Sequence, residues 1–566
     1  MVTGPAGAGK TVFALALILA LLKTRADTDP VPVRIPVSLW DTTTPLETLL
    51  TQRLIEAYGW PTTQAAALVE HGMILPVLDG LDEMDPTLPD GTPDPDAPRA
   101  RAALSHLDRY RVRGEPGPVV LTCRTAHLHA LTTRGTLRDS AQITLAPVTP
   151  AHAITYLTTR AQDMSRWQPL IDHLTGHPTG ALATLLSTPW RLCLTATVYH
   201  HDGNPPELTT HATAQALDEH LLARFIPAAT RLRPHPRSSF GRQRTYHPDQ
   251  VHRWLHHLTH ALTPTTTGPA TTPVPVGAGT DLVLHQLWPL AGRTRVRILD
   301  AVLAVSAVLL TLPLARTTTV PTLMASMIVL IAVWAALSAA TARPEPPGRL
   351  RLSRPAIPSR TLGVGLKGGL AFGLPAGLGF GLPAGQAFGL PAGQAFGLMG
   401  GLVVGLVVAL VVGLVVGLVV ALMVMLRSGL QAPPAKEARP WGLLRDDLVV
   451  QWVTGLVTGL VVGLVVGLVG ALASGVEVGL AGWLASGLVV GLALGLAGGQ
   501  GDVVVRRYAV FLLCSRGRLP FRLVVFLDWA CEAGLLRYAG PAYQFRHREL
   551  QQWLTTHPGP TTLPGP

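Results

Sequence analysis

The residues best equipped for chemistry come at the start of the chain. Gly4-Pro5-Ala6-Gly7-Ala8-Gly9-Lys10-Thr11 fits the spacing G-x-x-x-x-G-K-[ST], and an apolar run from Val12 to Leu22 follows at once. Such a loop turns successive backbone N–H groups onto a phosphate, and the following helix points its positive end at the same anion. Lys10 is placed to reach β- and γ-phosphates, and the Thr11 hydroxyl to ligand Mg²⁺. A second constellation ends the apolar run Ile74 to Leu78, where Asp79, Asp82 and Glu83 follow in quick succession. Asp79, at the carboxyl edge of a parallel sheet, is the candidate second metal residue, and Asp82 or Glu83 is spaced to orient an attacking water. Arg124 ends a further strand, Val119 to Thr125, where a guanidinium is able to contact a γ-phosphate and sense its loss. ATP or ADP with Mg²⁺ is the ligand these groups imply.

The elements that must position them belong to an α/β domain. A short, proline-interrupted strand is expected over residues 31–39, a helix over 45–58, and buried strands at 74–78 and 119–125. Asp79 is expected on a strand lying directly beside the one that feeds the phosphate loop. Only Met1-Val2-Thr3 precede Gly4, so that feeding strand is expected to be missing, through a late start or a truncation. Residues 85–99 are too proline-rich for helix or sheet and read as a loop. Residues 210–300 look helical, with amphipathic segments at His211–Ile226 and Pro248–Leu262, and His256, His257 and His260 are expected on a solvated face. Residues 263–279, rich in Thr and Pro, read as a linker.

Composition divides the chain. The net charge of +11 rests on arginine, since Lys10, Lys23, Lys367 and Lys436 are the lysines. A basic balance suits an anionic inner leaflet, and no basic patch is interleaved with aromatics in the manner of a nucleic-acid surface. Cys123, Cys193, Cys514 and Cys531 sit singly, without metal-site spacing or a disulfide framework. No nucleophile elbow and no His-Glu metal helix occurs, so other enzyme chemistries find no support.

The three motifs GPAGAGKT, LPVLDGLDE and VVLTCRT, at these separations, resemble the NACHT class of signal-transduction NTPases of the STAND group. Gly80 after Asp79, with acidic residues three and four further on, is the most diagnostic part. The resemblance implies a helical segment whose proline packs against adenine, and Leu186-Ser-Thr-Pro189-Trp-Arg-Leu supplies Pro189. It also implies a closing winged helix, which residues 519–554 resemble, with a histidine that contacts the ADP β-phosphate in the closed state. His547 is that candidate.

Between the soluble parts lie long apolar runs with almost no charge: 298–315, 320–341, 361–426, with Lys367 inside it, and 448–500, with Glu477 inside it. About 20 apolar residues span a bilayer as a helix. Flanking loops carry Arg293, Arg295, Arg297, then Arg343 to Arg360, then Arg427 to Arg445, then Arg506 and Arg507, all of one sign, so each block is expected to cross an even number of times. Three hairpins of two helices, multi-pass in the cell membrane with both soluble parts cytoplasmic, is the simplest topology. Glycine recurs every fourth residue from Gly373 to Gly405 and from Gly455 to Gly467, a stripe along which helix backbones pack closely; tetrapeptide expansion in the gene accounts for it equally well. Lys367, Gln386, Gln394 and Glu477 are too few to line a conduction path.

The expected organisation is therefore an α/β P-loop nucleotide-binding domain at 1–150, a helical subdomain and linker at 151–297, an inserted all-α transmembrane region at 298–500 and a winged-helix-like segment at 501–566. The function that the NACHT resemblance implies is a membrane-anchored ATP/ADP signalling switch of STAND type, with slow Mg²⁺-dependent hydrolysis and homo-oligomer formation on activation. An ATPase-gated transporter or pore, and a truncated scaffold without nucleotide cycling, are the alternatives.

Overall fold

The computed structural model describes residues 1–58, 60–85, 88, 92–132, 140–233, 245–260, 262, 281–317, 321–341, 349–350, 431–432, 502–539 and 542–560, with scattered helical positions between 442 and 493. The chain divides into two compact units, Met1–Leu282 with Gly517–Pro566, and Val283–Arg516. The expected blocks at 361–426 and, for the most part, 448–500, the glycine stripe and the linker at 263–279 lie outside the described residues.

In the first unit β1 (Val2–Gly4), β2 (Val31–Pro36) and β3 (Ile74–Asp79) belong to a parallel sheet. A small antiparallel pair, β4 (Arg111–Val112) and β5 (Glu115–Pro116), leads into β6 (Val120–Arg124), and β7 (Ile143–Thr144) completes the sheet in the order β2-β3-β6-β1-β7. The strand feeding the phosphate loop is thus present in three residues. Val2 and Thr3 are buried between β6 and β7, with Ile143 N–H donating to the Met1 carbonyl and Leu145 N–H to that of Thr3, each at 2.8 Å. Asp79 does not lie on the neighbouring strand: β6 stands between β1 and β3, so the acidic edge faces the loop across one strand.

Helices α1 (Lys10–Thr24), α2 (Leu46–Tyr58), α3 (Thr62–Glu70), α4 (Pro98–Arg109) and α5 (Thr125–Thr132) accompany the sheet. Trp40, Leu46 and Leu50 pack with Ile35, Leu78, Leu121 and Cys123 as one core. That burial raises the Cys123 thiol well above its ordinary range, so it is an apolar filler and not a nucleophile. The loop expected over 85–99 gives way to helix at Pro98, which starts α4 at a position where a missing N–H matters little.

The helical part comprises α6 (Pro150–Arg160), α7 (Met164–Gly176), α8 (Ala181–Leu185), α9 (Pro189–Val198), α10 (Ala214–Leu232) and α11 (Pro248–Thr259). α10 continues through Pro227 to Leu232, six residues beyond the expected end, because Phe225, Ile226, Ala228 and Ala229 are buried. His256 is not on a solvated face as expected. Its Nδ1 lies 2.7 Å from the Leu554 carbonyl, and His252 Nε2 lies 2.8 Å from that of His557, tying α11 to the end of the chain.

In the second unit α12 (Arg293–Leu309) and α13 (Pro321–Thr341) pack through Ala304, Val308, Ala315, Ile328, Ala332, Ala335 and Ala339. Among the described residues one helical stretch, Arg293–Arg316, is long and apolar enough to cross a membrane; Ile328–Ala340 is shorter. A short pair, β9 (Arg349–Leu350) and β10 (Gln431–Ala432), belongs to the same unit. Asp300 of α12 is fully buried and meets Arg506 and Arg507 of α14 (Asp502–Cys514), with Arg507 Nε at 3.3 Å and its Nη2 donating to the Ala339 carbonyl at 2.7 Å. Arg507 also lies 5.1 Å above the Trp288 ring. Removing one member of a buried ion cluster strands the others without compensation. Asp300→Ala is therefore expected to destabilise this unit by about 3 kcal/mol or more, and pairing Asp300→Leu with Arg507→Met to recover most of it. Thermal melts of the purified full chain in detergent measure both.

The first unit closes with α15 (Leu523–Glu532), β11 (Leu536–Ala539), β12 (Ala542–Phe545) and α16 (Arg548–Thr556). The third strand of this wing, β8 (Asp281–Leu282), comes from before the insertion, Leu282 opposite Tyr543 and Asp281 opposite Gln544. Trp529 donates from Nε1 to the Arg233 carbonyl at 2.6 Å, and Tyr246, Trp254 and Phe526 pack beside it.

Candidate functional site

The phosphate loop owes its shape to two glycines. Gly7 and Gly9 have φ of 72° and 85°, where a side chain is strained, and Gly9 caps the start of α1. At Gly7 there is also no room: a Cβ would lie 2.9 Å from that of Trp190, whose N–H donates to the Gly7 carbonyl at 3.3 Å. Lys10 folds back so that Nζ donates to the carbonyls of Gly4 (3.1 Å) and Pro5 (2.9 Å). Burial lowers its pKa from the ordinary ammonium value, against the pull of Asp82.

The acidic edge is built by register. β3 and β6 pair with Val77 opposite Val120 and Leu78 opposite Leu121, so Asp79 falls level with Thr122. The Thr122 hydroxyl donates to Asp79 Oδ1 at 2.7 Å and accepts from Gly80 N–H at 2.9 Å. Thr11 donates to the same Asp79 oxygen at 3.3 Å, which brings the two expected metal residues together. Gly80, with φ 89°, lets the chain turn so that Asp82 and Glu83 follow in a short 3-10 turn.

Each of the three carboxylates is held by an arginine. Asp79 Oδ2 accepts from Arg34 Nη2 at 2.6 Å and Nε at 3.1 Å. Asp82 pairs with Arg124 Nε at 2.8 Å and accepts the Arg124 N–H at 3.1 Å. Glu83 receives two bonds from Arg537 Nη2 of the wing, at 2.8 and 2.9 Å. Arg124 sits opposite Gly4 on β1, beside the loop.

Pro189 starts α9 behind Thr188, whose hydroxyl accepts from Arg191 N–H, so a helix-start role is filled; its ring also faces Gly9. His547 precedes α16, and its imidazole stacks on the Trp190 indole with centroids 3.3 Å apart and planes 15° from parallel. Burial, then Arg546 and Arg537, push its pKa down to about 3, so it is neutral.

Gly7, Gly9, Lys10, Thr11, Asp79, Asp82, Glu83, Arg124, Pro189 and His547 line one cleft of about 780 Å³ within the first unit, together with Arg34, Thr122, Trp190 and Arg537; Gly4, Pro5, Ala6 and Ala8 form the rest of the loop. Val12 and Leu15 of α1 line it too, and Lys10, Arg34, Arg124, Arg537, Arg546 and Arg548 outweigh its carboxylates in charge. The volume is that of a small-molecule site, and the charge suits a polyphosphate. Thr11 and Asp79 are oxygen donors of the kind magnesium takes, and here Asp79 is engaged by Arg34 instead. Sequence reasoning missed Arg34, Thr122, Trp190, Arg537 and Arg548. The signals available were an arginine inside the apolar β2 and two arginines flanking His547.

The histidine stack makes wing closure pH-dependent. A docked pKa of about 3 lies below the value of about 6.5 for a free imidazole, so the stacked form binds its proton less readily. Its contribution is full above about pH 6.5 and is lost progressively as pH falls, by about 2 kcal/mol at pH 5. Acidification is expected to undock the wing before the core unfolds, seen as a change in Trp190 fluorescence, and His547→Phe to remove that transition. A fluorescence profile unaltered by the substitution contradicts this. Compared with known proteins, the chain matches no protein-family model and no curated protein matches it, so the chemistry of the cleft is argued from its own residues.

Proposed function

We propose that this chain is a membrane-anchored nucleotide switch of the STAND type, in which ADP or ATP lies between the phosphate loop and the wing. A single cleft lined by Gly7, Gly9, Lys10 and Thr11 on one side and by Arg537, His547 and Arg548 on the other carries this reading. The backbone of Gly4 to Gly9 holds the β-phosphate, Lys10 leaves the loop carbonyls for the β- and γ-oxygens, and Arg124 meets the terminal phosphate. Pro189, with Val12 and Leu15, offers the apolar wall for the base. Thr11 and, once Arg34 is displaced from it, Asp79 would hold a Mg²⁺ ion, which would neutralise part of the β/γ charge. Asp82 and Glu83 are the candidates to orient water, and both are engaged by arginines while the wing is docked.

The wing thereby restrains hydrolysis. Arg537 must leave before Glu83 is free to hold a water, so opening and turnover are coupled through one ion pair. ADP favours the docked form; at a thousandfold excess over its dissociation constant it adds about 4 kcal/mol. Release then exposes surfaces for assembly into a homo-oligomer, the output the NACHT resemblance implies. The apolar stretch Arg293–Arg316 and the nearly uncharged blocks after it support anchoring as an inserted all-α transmembrane region, with the arginine-bearing flanks cytoplasmic.

Calorimetry with ADP tests the site: Lys10→Ala is expected to weaken binding at least about 100-fold, since truncating a buried charge partner removes several kcal/mol. Unchanged affinity in that variant sinks the nucleotide reading. For the wing, a partly exposed pair contributes about 1 kcal/mol, so Arg537→Gln is expected to release a fluorescent ADP analogue about fivefold faster and to raise basal hydrolysis. An unaltered release rate removes Arg537 from the coupling.

A further inference from the structure

Asp79 has no oxygen to spare. Oδ1 accepts from Thr122 at 2.7 Å and from Thr11 at 3.3 Å; Oδ2 accepts twice from Arg34, at 2.6 and 3.1 Å. A carboxylate offers about four lone-pair sites, and here all are used. The register of β2 on β3 fixes this arrangement: Pro36 pairs with Asp79, and Arg34, two residues earlier, points to the same face of the sheet. The Asp79 side chain is 6% exposed and that of Arg34 35%, so the guanidinium reaches from the cleft lining onto a buried anion.

A guanidinium bound in this two-pronged way is a fixed positive charge at the carboxylate, held by charge-assisted bonds. Magnesium requires near-ideal octahedral oxygen ligation and dehydrates reluctantly, and it meets a like charge there. We propose that Arg34 is the resident cation of this site: it takes the place at Asp79 that the metal would use, so the chain binds a nucleoside diphosphate without a divalent cation. Arg34 neutralises Asp79, so that Lys10 and Arg124 meet the diphosphate with no bare carboxylate opposing it, and the metal enters only when Arg34 leaves Asp79. Arg34 is a specificity-determining residue for the metal dependence of nucleotide binding, and this inference rests on the nucleotide reading above.

The test is ADP calorimetry on the full chain in detergent, once with MgCl₂ and once with EDTA. In the wild type the two affinities are expected to agree within about threefold, because the guanidinium already supplies the charge-assisted partner. Arg34→Gln is expected to lose at least about tenfold in EDTA and to regain it with Mg²⁺, because it leaves the buried Asp79 carboxylate without its cation. Paramagnetic resonance with Mn²⁺ as probe gives a readout apart from activity: no metal bound in the wild-type ADP complex, one in the variant. ADP binding that requires Mg²⁺ in the wild type overturns this inference alone, and that comparison stands even if the variant fails to fold. A variant whose affinity stays metal-independent also overturns it. No ADP binding under either condition overturns the nucleotide reading together with it.

Discussion

The fold of the first unit depends on a strand pairing made across the insertion. Asp281 and Leu282 leave the unit as β8, and the chain pairs β12 with them only after residues Val283–Arg516 have been traversed. The entropic penalty for so long an excursion is modest, growing by about 0.6 kcal/mol per doubling of loop length. It is offset by the burial of Trp529, Phe526, Tyr543 and Leu550 where the closing segment meets α10 and α11. Without that return there is no wing over the phosphate loop, and Glu83 has no arginine.

Electrostatics then explains why the cleft is built as it is. Asp79 and Asp82 are each 7% exposed, and an ionised carboxylate so placed needs a partner. Arg34 and Arg124 supply it from neighbouring strands, and Arg537 does the same for Glu83 from the wing. The acidic edge is thereby neutralised from within the chain. The same charges keep His547 neutral, since a second positive group between Arg537 and Arg546 is penalised twice, by burial and by repulsion.

Much of this was legible in the sequence because it rests on local patterns. The glycines of the loop, the apolar run ending in Asp79, and the closing strand and helix around His547 are each visible in a dozen residues. What stayed hidden depends on strand order and on long-range pairing. Nothing in Val119–Thr125 says that β6 inserts between β1 and β3, so Thr122 as the hinge of Asp79 could not be foreseen. β1 and β8 are three and two residues long, too short for any periodicity; β1 forms because β6 and β7 flank it, and β8 because it pairs with β12. Arg34 announced itself as a charge within an apolar strand, yet its partner lies 45 residues away. Trp190 escaped because a tryptophan after a helix-start proline reads as core, and it becomes a wall of the cleft only when His547 is stacked upon it.

The account turns on whether nucleotide sets the position of the wing over the phosphate loop. Spin labels at Thr24→Cys, at the end of α1, and Gln552→Cys, on the exposed side of α16, in a Cys193→Ser background, report that position by double electron–electron resonance. With ADP a single narrow distance is expected. With a non-hydrolysable ATP analogue a longer and broader distribution should replace it. An identical distribution under both nucleotides contradicts the switch, whatever the affinity of the cleft for either.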